Sequence, residues 1–262
     1  MARKIVITSG KGGVGKTTVA VNLGAALADM GLRVALVDVD FGLNNVDVVM
    51  GVEKKVVYDL VDVVVGRCRL KQALVQNEKR KNLYVLPSGT ENTANMVTGQ
   101  NVKLVIENMN VMFDYIFIDS PAGIDVGFHR AVSCADEAIV VATPNLTSLR
   151  DADKVVSILK SYKLNSVGLV VNRARGDLML SDKMMMPSDI QKLLKTELVG
   201  VLPEEDVVFL SSGYGLPNKS DSAKAYKLLA QNLHKNTRKI YDATGKYLGF
   251  FGSIRRNIKR SI

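Results

Sequence analysis

Short apolar runs alternate with helical periodicity along most of the chain. Lys4–Thr8, Val34–Asp38, Leu83–Leu86, Asp114–Asp119, Glu137–Ala142, Ser166–Val171 and Val199–Pro203 are rich in Val, Ile and Leu with little polar alternation. That is the pattern of strands covered on both faces, as in a parallel sheet. Between them, apolar residues recur at steps of three and four over Thr17–Met30, Val102–Met112, Thr147–Lys160 and Ser220 to about Tyr241, which predicts helices. Residues 46 to 82 read as short helices with polar turns, and Glu78-Lys79-Arg80-Lys81 as a solvated loop. The expected fold is therefore α/β, a mostly parallel sheet sandwiched by helices.

The turn between the first strand and the first helix carries Gly10-Lys11-Gly12-Gly13-Val14-Gly15-Lys16-Thr17-Thr18. Gly10, four residues, then Gly15-Lys16-Thr17 meets the P-loop pattern, in which glycines let backbone N–H groups close around phosphate oxygens. Lys16 would reach the β- and γ-phosphates, Thr17 would bind Mg2+ through its hydroxyl, and the helix start would aim its positive end at the anion. A P-loop NTPase fold with a nucleotide and Mg2+ is the expectation.

Carboxylates stand at the ends of two further strands. Asp38 and Asp40 open the stretch Asp38-Val39-Asp40-Phe41-Gly42-Leu43-Asn44-Asn45, and Asp119 opens Asp119-Ser120-Pro121-Ala122-Gly123. Ligands of open α/β sheets bind at this edge, so one acid can hold a metal-bound water and another can orient a hydrolytic water. The Gly123 N–H could meet a γ-phosphate that hydrolysis removes, which makes its loop a candidate switch. Asn172-Arg173 follows another strand, where an amide can both donate to and accept from an adenine, or simply hold a turn.

At 262 residues the chain suits one large domain, and 47% hydrophobic content suffices for a packed core. No stretch approaches the roughly 18 apolar residues of a spanning helix, and no signal peptide is expected because the strand pattern starts by Ile5. Cys68 and Cys134 lie far apart without metal-site spacing, and His129 and His234 stand in separate contexts. A cytoplasmic protein is expected.

The net charge of +9 is uneven. Residues 246 to 262 hold Lys246, Arg255, Arg256, Lys259 and Arg260 and no acid, leaving 30 basic and 26 acidic residues elsewhere. In that tail, Tyr247, Phe250, Phe251, Ile254, Ile258 and Ile262 recur at steps of three and four, with Leu248 beside them and the cations alongside. The pattern is that of a basic amphipathic helix in a membrane interface. Gly249 and Gly252 each cost about 1 kcal/mol relative to Ala in a helix, so folding should accompany insertion. The division expected is a P-loop domain over 1–241, a hinge over 242–245 and a membrane-targeting helix over 246–262.

The Gly10–Thr18 loop resembles the deviant Walker A motif of the MinD/ParA ATPases, and Asp38 to Asn45 with Asp119-Ser120-Pro121-Ala122-Gly123 are similar to the division-site branch of that family. The similarity runs from Lys4 to about Leu233. It implies an ATP-bound homodimer in which Lys11 crosses to the partner's phosphates while Lys16 serves its own subunit. It also implies that Asp40 orients the attacking water, that Asp38 and Asp119 support Mg2+ through its waters, and that Asn45 lies near that water. Asn172, Arg173 and the backbone near Pro203 would face adenine. Implied partners are ATP and Mg2+, anionic membrane lipids, a MinC-like division inhibitor and a MinE-like activator, with the protein cycling to the inner face of the cell membrane. Nucleic acid is not the expected partner, because the body is only modestly basic. The alternative is a ParA-type partition ATPase whose tail grips nucleic acid.

Overall fold

A computed structural model describes residues 1–41, 45–89, 97–211, 215–249 and 252. Among these residues eight strands form one sheet: β1 (Arg3–Thr8), β2 (Val34–Asp38), β3 (Val75–Gln76), β4 (Leu83–Leu86), β5 (Tyr115–Asp119), β6 (Glu137–Ala142), β7 (Ser166–Ala174) and β8 (Glu197–Pro203). Their order is β3-β4-β2-β5-β1-β6-β7-β8, parallel throughout except for β3 against β4. The two-residue β3 is a strand that the apolar pattern does not announce.

Alternate residues of the central strands feed two cores. Val6, Ile116 and Ile118 face one, with α5 (Gly99–Met109), α6 (Val126–Val132) and α7 (Leu146–Leu159) packed over them. Ile5, Ile7, Tyr115 and Phe117 face the other, beneath α1 (Lys16–Ala28) and α11 (Asp221–Lys235). Both faces of the sheet are thus covered, which is why its strands are continuous apolar runs. The strand order reverses on either side of β1, so the turn after β1 opens at the topological switch point, where such sheets bind ligands.

Shorter elements complete the layers: α2 (Val46–Met50), α3 (Leu60–Val64), α4 (Leu70–Ala73), α8 (Gly176–Met179), α9 (Pro187–Leu194) and α10 (Asp206–Leu210). Side-chain caps begin several helices. Thr98 and Asn101 form a capping box that starts α5 three residues earlier than the periodicity suggests, and Asn145 accepts from the Ser148 N–H at the start of α7.

The last helix ends earlier than its apolar stripe. Asn236 turns left-handed at φ 51°, and α11 stops at Lys235 instead of running to Tyr241. The Asn232 side chain explains the exit: its oxygen accepts from the Lys239 N–H, and its amide donates to the carbonyls of Lys239 and Val199. Ile240 and Ala243 then join the core on the opposite face of the sheet. The stripe continues past the helix because the chain beyond it is also buried.

Residues 242–245, expected as a hinge, dock on the body. Asp242 accepts from both the N–H and the hydroxyl of Thr244, and Ala243 is buried so closely that a Cβ on Gly176 would lie 1.9 Å from its carbonyl oxygen. Tyr247, expected on the membrane-facing stripe, is 6% exposed, and Lys246 reaches Asp221 at 2.9 Å. Both belong to the body, whereas Leu248 is exposed. Phe250, Phe251, Ile254, Arg255, Arg256, Ile258, Lys259 and Arg260 lie outside the described residues. Among the described residues no helix is long and apolar enough to cross a membrane.

Candidate nucleotide site

The loop from Gly10 to Gly15 leaves β1 and enters α1, and its glycines have distinct reasons. A Cβ on Gly10 would lie 2.3 Å from the Asp151 carbonyl oxygen, so the first glycine admits the backbone of α7. Gly13 and Gly15 have φ of 76° and 96°, which side chains rarely adopt. Gly15 starts α1 without a side-chain cap, leaving first-turn N–H groups directed into the loop. The Ser9 hydroxyl donates to the Lys11 carbonyl at 2.8 Å and pins the loop's first turn.

The two lysines have opposite surroundings. Lys16 is 8% exposed, and burial lowers its pKa against the opposing fields of Asp119 and Asp40. A cation held in that state is poised for an anion that restores its charge balance. Lys11 is exposed, and its Nζ lies 3.5 Å from the Thr147 hydroxyl at the start of α7.

The acids sort by environment. Asp38 and Asp119 stand side by side in register on β2 and β5. Asp119 accepts from the Thr17 hydroxyl at 2.5 Å, and its second oxygen is buried without a partner. Burial first, then the field of Asp38, pushes its pKa up to about 8. An orphaned carboxylate oxygen beside a threonine hydroxyl suits Mg2+, which lowers that pKa when it binds. Among the described residues no three His, Cys, Asp or Glu could hold a metal alone, and Mg2+ in nucleotide sites usually keeps waters and phosphate oxygens as ligands.

Asp38, expected to support Mg2+ through its waters, is held here by backbone N–H groups. Its Oδ1 accepts from the Asp40 N–H at 2.9 Å, and its Oδ2 accepts from the N–H groups of Asn45 and Val46 at 3.3 and 3.4 Å. Burial still raises its pKa to about 6. Here Asp38 shapes the turn that carries Asp40. The Asp40 carboxyl is half-buried, with its pKa raised by burial, lowered by Lys16 and raised again by Asp125.

Two further residues differ from expectation. The Gly123 N–H donates to the Ser9 carbonyl at 3.2 Å, so meeting a phosphate requires its loop to move. Asn172 lies in an irregular stretch of β7, beside Arg173 at φ 56°, and its amide donates to the Val14 carbonyl at 2.8 Å. In this arrangement Asn172 braces the phosphate loop, and its other face lines a cavity of about 250 Å3 with Gly15, Thr18, Arg173, Pro203 and Tyr226. A base can enter there beside the cradle. Tyr226 and the neighbouring Phe209 carry no motif, and only the fold brings them to this cavity.

Glu205, in the lining of that cavity, accepts from the Ser222 N–H at 2.6 Å and so links the cavity to the start of α11. Sequence reading places Glu205 only in an acidic helix start.

A family model described as an AAA domain matches residues 2–171. The septum site-determining protein MinD of Synechocystis sp. is 38% identical over 263 residues, covering 98% of this chain and 99% of its own. In the MinC:MinD cell division complex of Aquifex aeolicus, the matching chain is 37% identical with a TM-score of 0.83, covering 90% of this chain and 97% of that one. The MinD of Pyrococcus horikoshii, solved with Mg-ADP, is 33% identical with a TM-score of 0.81 over 90% of this chain and 97% of that one. With its cradle at the switch point and these likenesses over nearly its whole length, the chain belongs to the MinD family of septum site-determining ATPases.

Proposed function

We propose that this chain hydrolyses ATP with Mg2+, dimerises when ATP is bound, attaches reversibly to the membrane through its C-terminal segment, and positions a MinC-like division inhibitor. The carrying observation is the contrast between the buried Lys16 and the exposed Lys11 in one loop. Lys16 serves its own cradle. Among the described residues no acid pairs with Lys11, and a second subunit facing the loop would supply an anion. A cation given in trans makes transition-state stabilisation depend on assembly, as an arginine finger does.

Within one subunit, Gly10 to Thr18 hold the phosphates, and Thr17 and Asp119 hold Mg2+, which supplies charge neutralisation on the phosphate oxygens. Asp40 accepts a hydrogen bond from the attacking water, and Asn45 lies near that water. The Mg-ADP bound to the Pyrococcus horikoshii relative and the MinC paired with the Aquifex aeolicus relative support the ligand and the partner. A MinE-like activator follows from the same family reading.

The tail supplies the reason for dimerising. Each cation near an anionic leaflet contributes about 1 kcal/mol, and one tail holds weakly. The second tail of a dimer binds as an intramolecular event, so the pair is retained far better. The test is co-sedimentation of the full chain with anionic phospholipid vesicles and with duplex DNA, in ATP and in ADP. ATP-dependent retention on vesicles is expected; salt-sensitive retention on DNA alone would assign the chain to a nucleic-acid partition role.

A further inference from the structure

Arg130 and Phe41 join the two loops that bring Asp40 and Gly123 to the site. The Arg130 guanidinium carbon lies 5.0 Å from the centre of the Phe41 ring, and Phe41 directly follows Asp40. The remaining backbone restraints on Asp40 act elsewhere. Its N–H donates to Asp38 Oδ1, and its carbonyl accepts from the Ser88 hydroxyl at 3.3 Å. The Phe41 ring is half-buried against the core over β2 and β5, so its orientation is communicated to the preceding residue.

Arg130 approaches from a firm support. It stands in α6, where Phe128 is fully buried and Asp125 caps the first turn by accepting from the N–H groups of Gly127 and Phe128. The same helix begins three residues beyond Gly123, whose N–H is held by Ser9. A guanidinium over an aromatic face is attracted by the ring's negative quadrupole, whereas an uncharged chain of similar length would only cover it.

We infer that Arg130 is a positioning residue for ATP hydrolysis: by seating on Phe41 it fixes the carboxylate of Asp40 and ties it to the helix that follows the Gly123 loop. This rests on the reading of Asp40 as the residue that orients the attacking water. The phosphate cradle does not depend on the contact, so its loss lowers the hydrolytic rate and leaves nucleotide affinity in place.

The test is single-turnover ATP hydrolysis by the full chain on anionic phospholipid vesicles, with nucleotide affinity measured alongside. Wild type is compared with Arg130→Met, Arg130→Lys, Phe41→Leu and Asp40→Ala. Arg130→Met and Phe41→Leu should each slow hydrolysis about 3- to 10-fold, the range such a contact spans. Arg130→Lys should restore part of the rate, and combining Arg130→Met with Phe41→Leu should add little. Wild-type hydrolysis by Arg130→Met beside an inactive Asp40→Ala overturns the inference. A rate lost only together with nucleotide affinity also overturns it, because the contact would then serve folding of the site. Wild-type hydrolysis by Asp40→Ala instead removes the reading beneath it. The chain contains no tryptophan, so Phe41→Trp provides a single tryptophan, excited selectively over the eight tyrosines at the red edge of the absorption band. Its emission should change when ATP is added, and Arg130→Met should abolish the change; an unaltered change overturns the coupling to α6.

Discussion

Asn172 braces the phosphate loop from the end of β7: its amide donates to the Val14 carbonyl at 2.8 Å, and the same nitrogen would lie 2.6 Å from a Cβ added at Gly15. Asn172→Ala leaves that carbonyl without its partner, a loss of about 1 to 3 kcal/mol when the group stays buried. Affinities for ATP and GTP should fall together, since the change loosens the cradle common to both. Titration with fluorescent analogues of each nucleotide checks this. A selective loss for ATP would place Asn172 on the base instead.

The two lysines separate binding from assembly. Lys16→Ala removes a buried cation from the cradle and should abolish nucleotide binding. Lys11→Ala alters an exposed side chain outside its own cradle, so ATP should still bind while ATP-dependent dimerisation is lost. Isothermal titration and sedimentation velocity in ATP report the two effects independently. A Lys11→Ala protein that dimerises normally would remove the role in trans.

Asp119 gives a dependence of stability on pH. Its folded pKa, about 8, lies above the ordinary carboxylate value because the charged form is buried. A raised acid stabilises the fold below its unfolded pKa, and that contribution is lost as pH climbs through the folded value. Without nucleotide and Mg2+, Asp119→Asn should therefore raise the melting temperature, more at pH 8 than at pH 5, while impairing hydrolysis. Thermal melts at the two pH values check the sign. Saturating Mg-ATP should reverse the order of the two proteins.

Truncation should be sensitive to a few residues. Ending the chain after Tyr247 keeps the Lys246–Asp221 pair and the buried ring, so ATP binding and thermal stability should persist while ATP-dependent vesicle binding disappears. Ending it after Tyr241 removes Ala243 and Tyr247 from the core and should lower the melting temperature by several degrees. Melting curves and vesicle sedimentation of both truncated chains test this division.

Seven of the eight strands are legible because a sheet covered on both faces demands continuous apolar runs such as Ile5 to Ile7 and Ile116 to Ile118, whereas the two-residue β3 is too short to show one. The phosphate loop was legible because Gly13 and Gly15 need their left-handed conformations locally. Gly10 carries a different constraint, the approach of Asp151 from a helix more than a hundred residues on, and no local pattern shows that. The backbone partners of Asp38 and Asn172 are not legible in the sequence. A carboxylate can accept from backbone N–H groups as readily as from metal-bound water, and an amide can donate to a loop carbonyl as readily as to a base. The end of α11 was hidden because Ile240 continues an apolar stripe, although Asn232 has already captured the Lys239 backbone and turned the chain.

The burial of Tyr247 sets the length of a leash. Between that seated ring and Phe250 stand only Leu248 and Gly249, so the three steps from Tyr247 to Phe250 span at most about 11 Å. If the tail enters a bilayer as proposed, a body moored so closely would not tumble above it. On the proposed attachment it would lie against the headgroups with the start of α11 turned down, since Lys246 is fastened there. Such a mooring would select which flank of the molecule faces open water and is left for other proteins to approach.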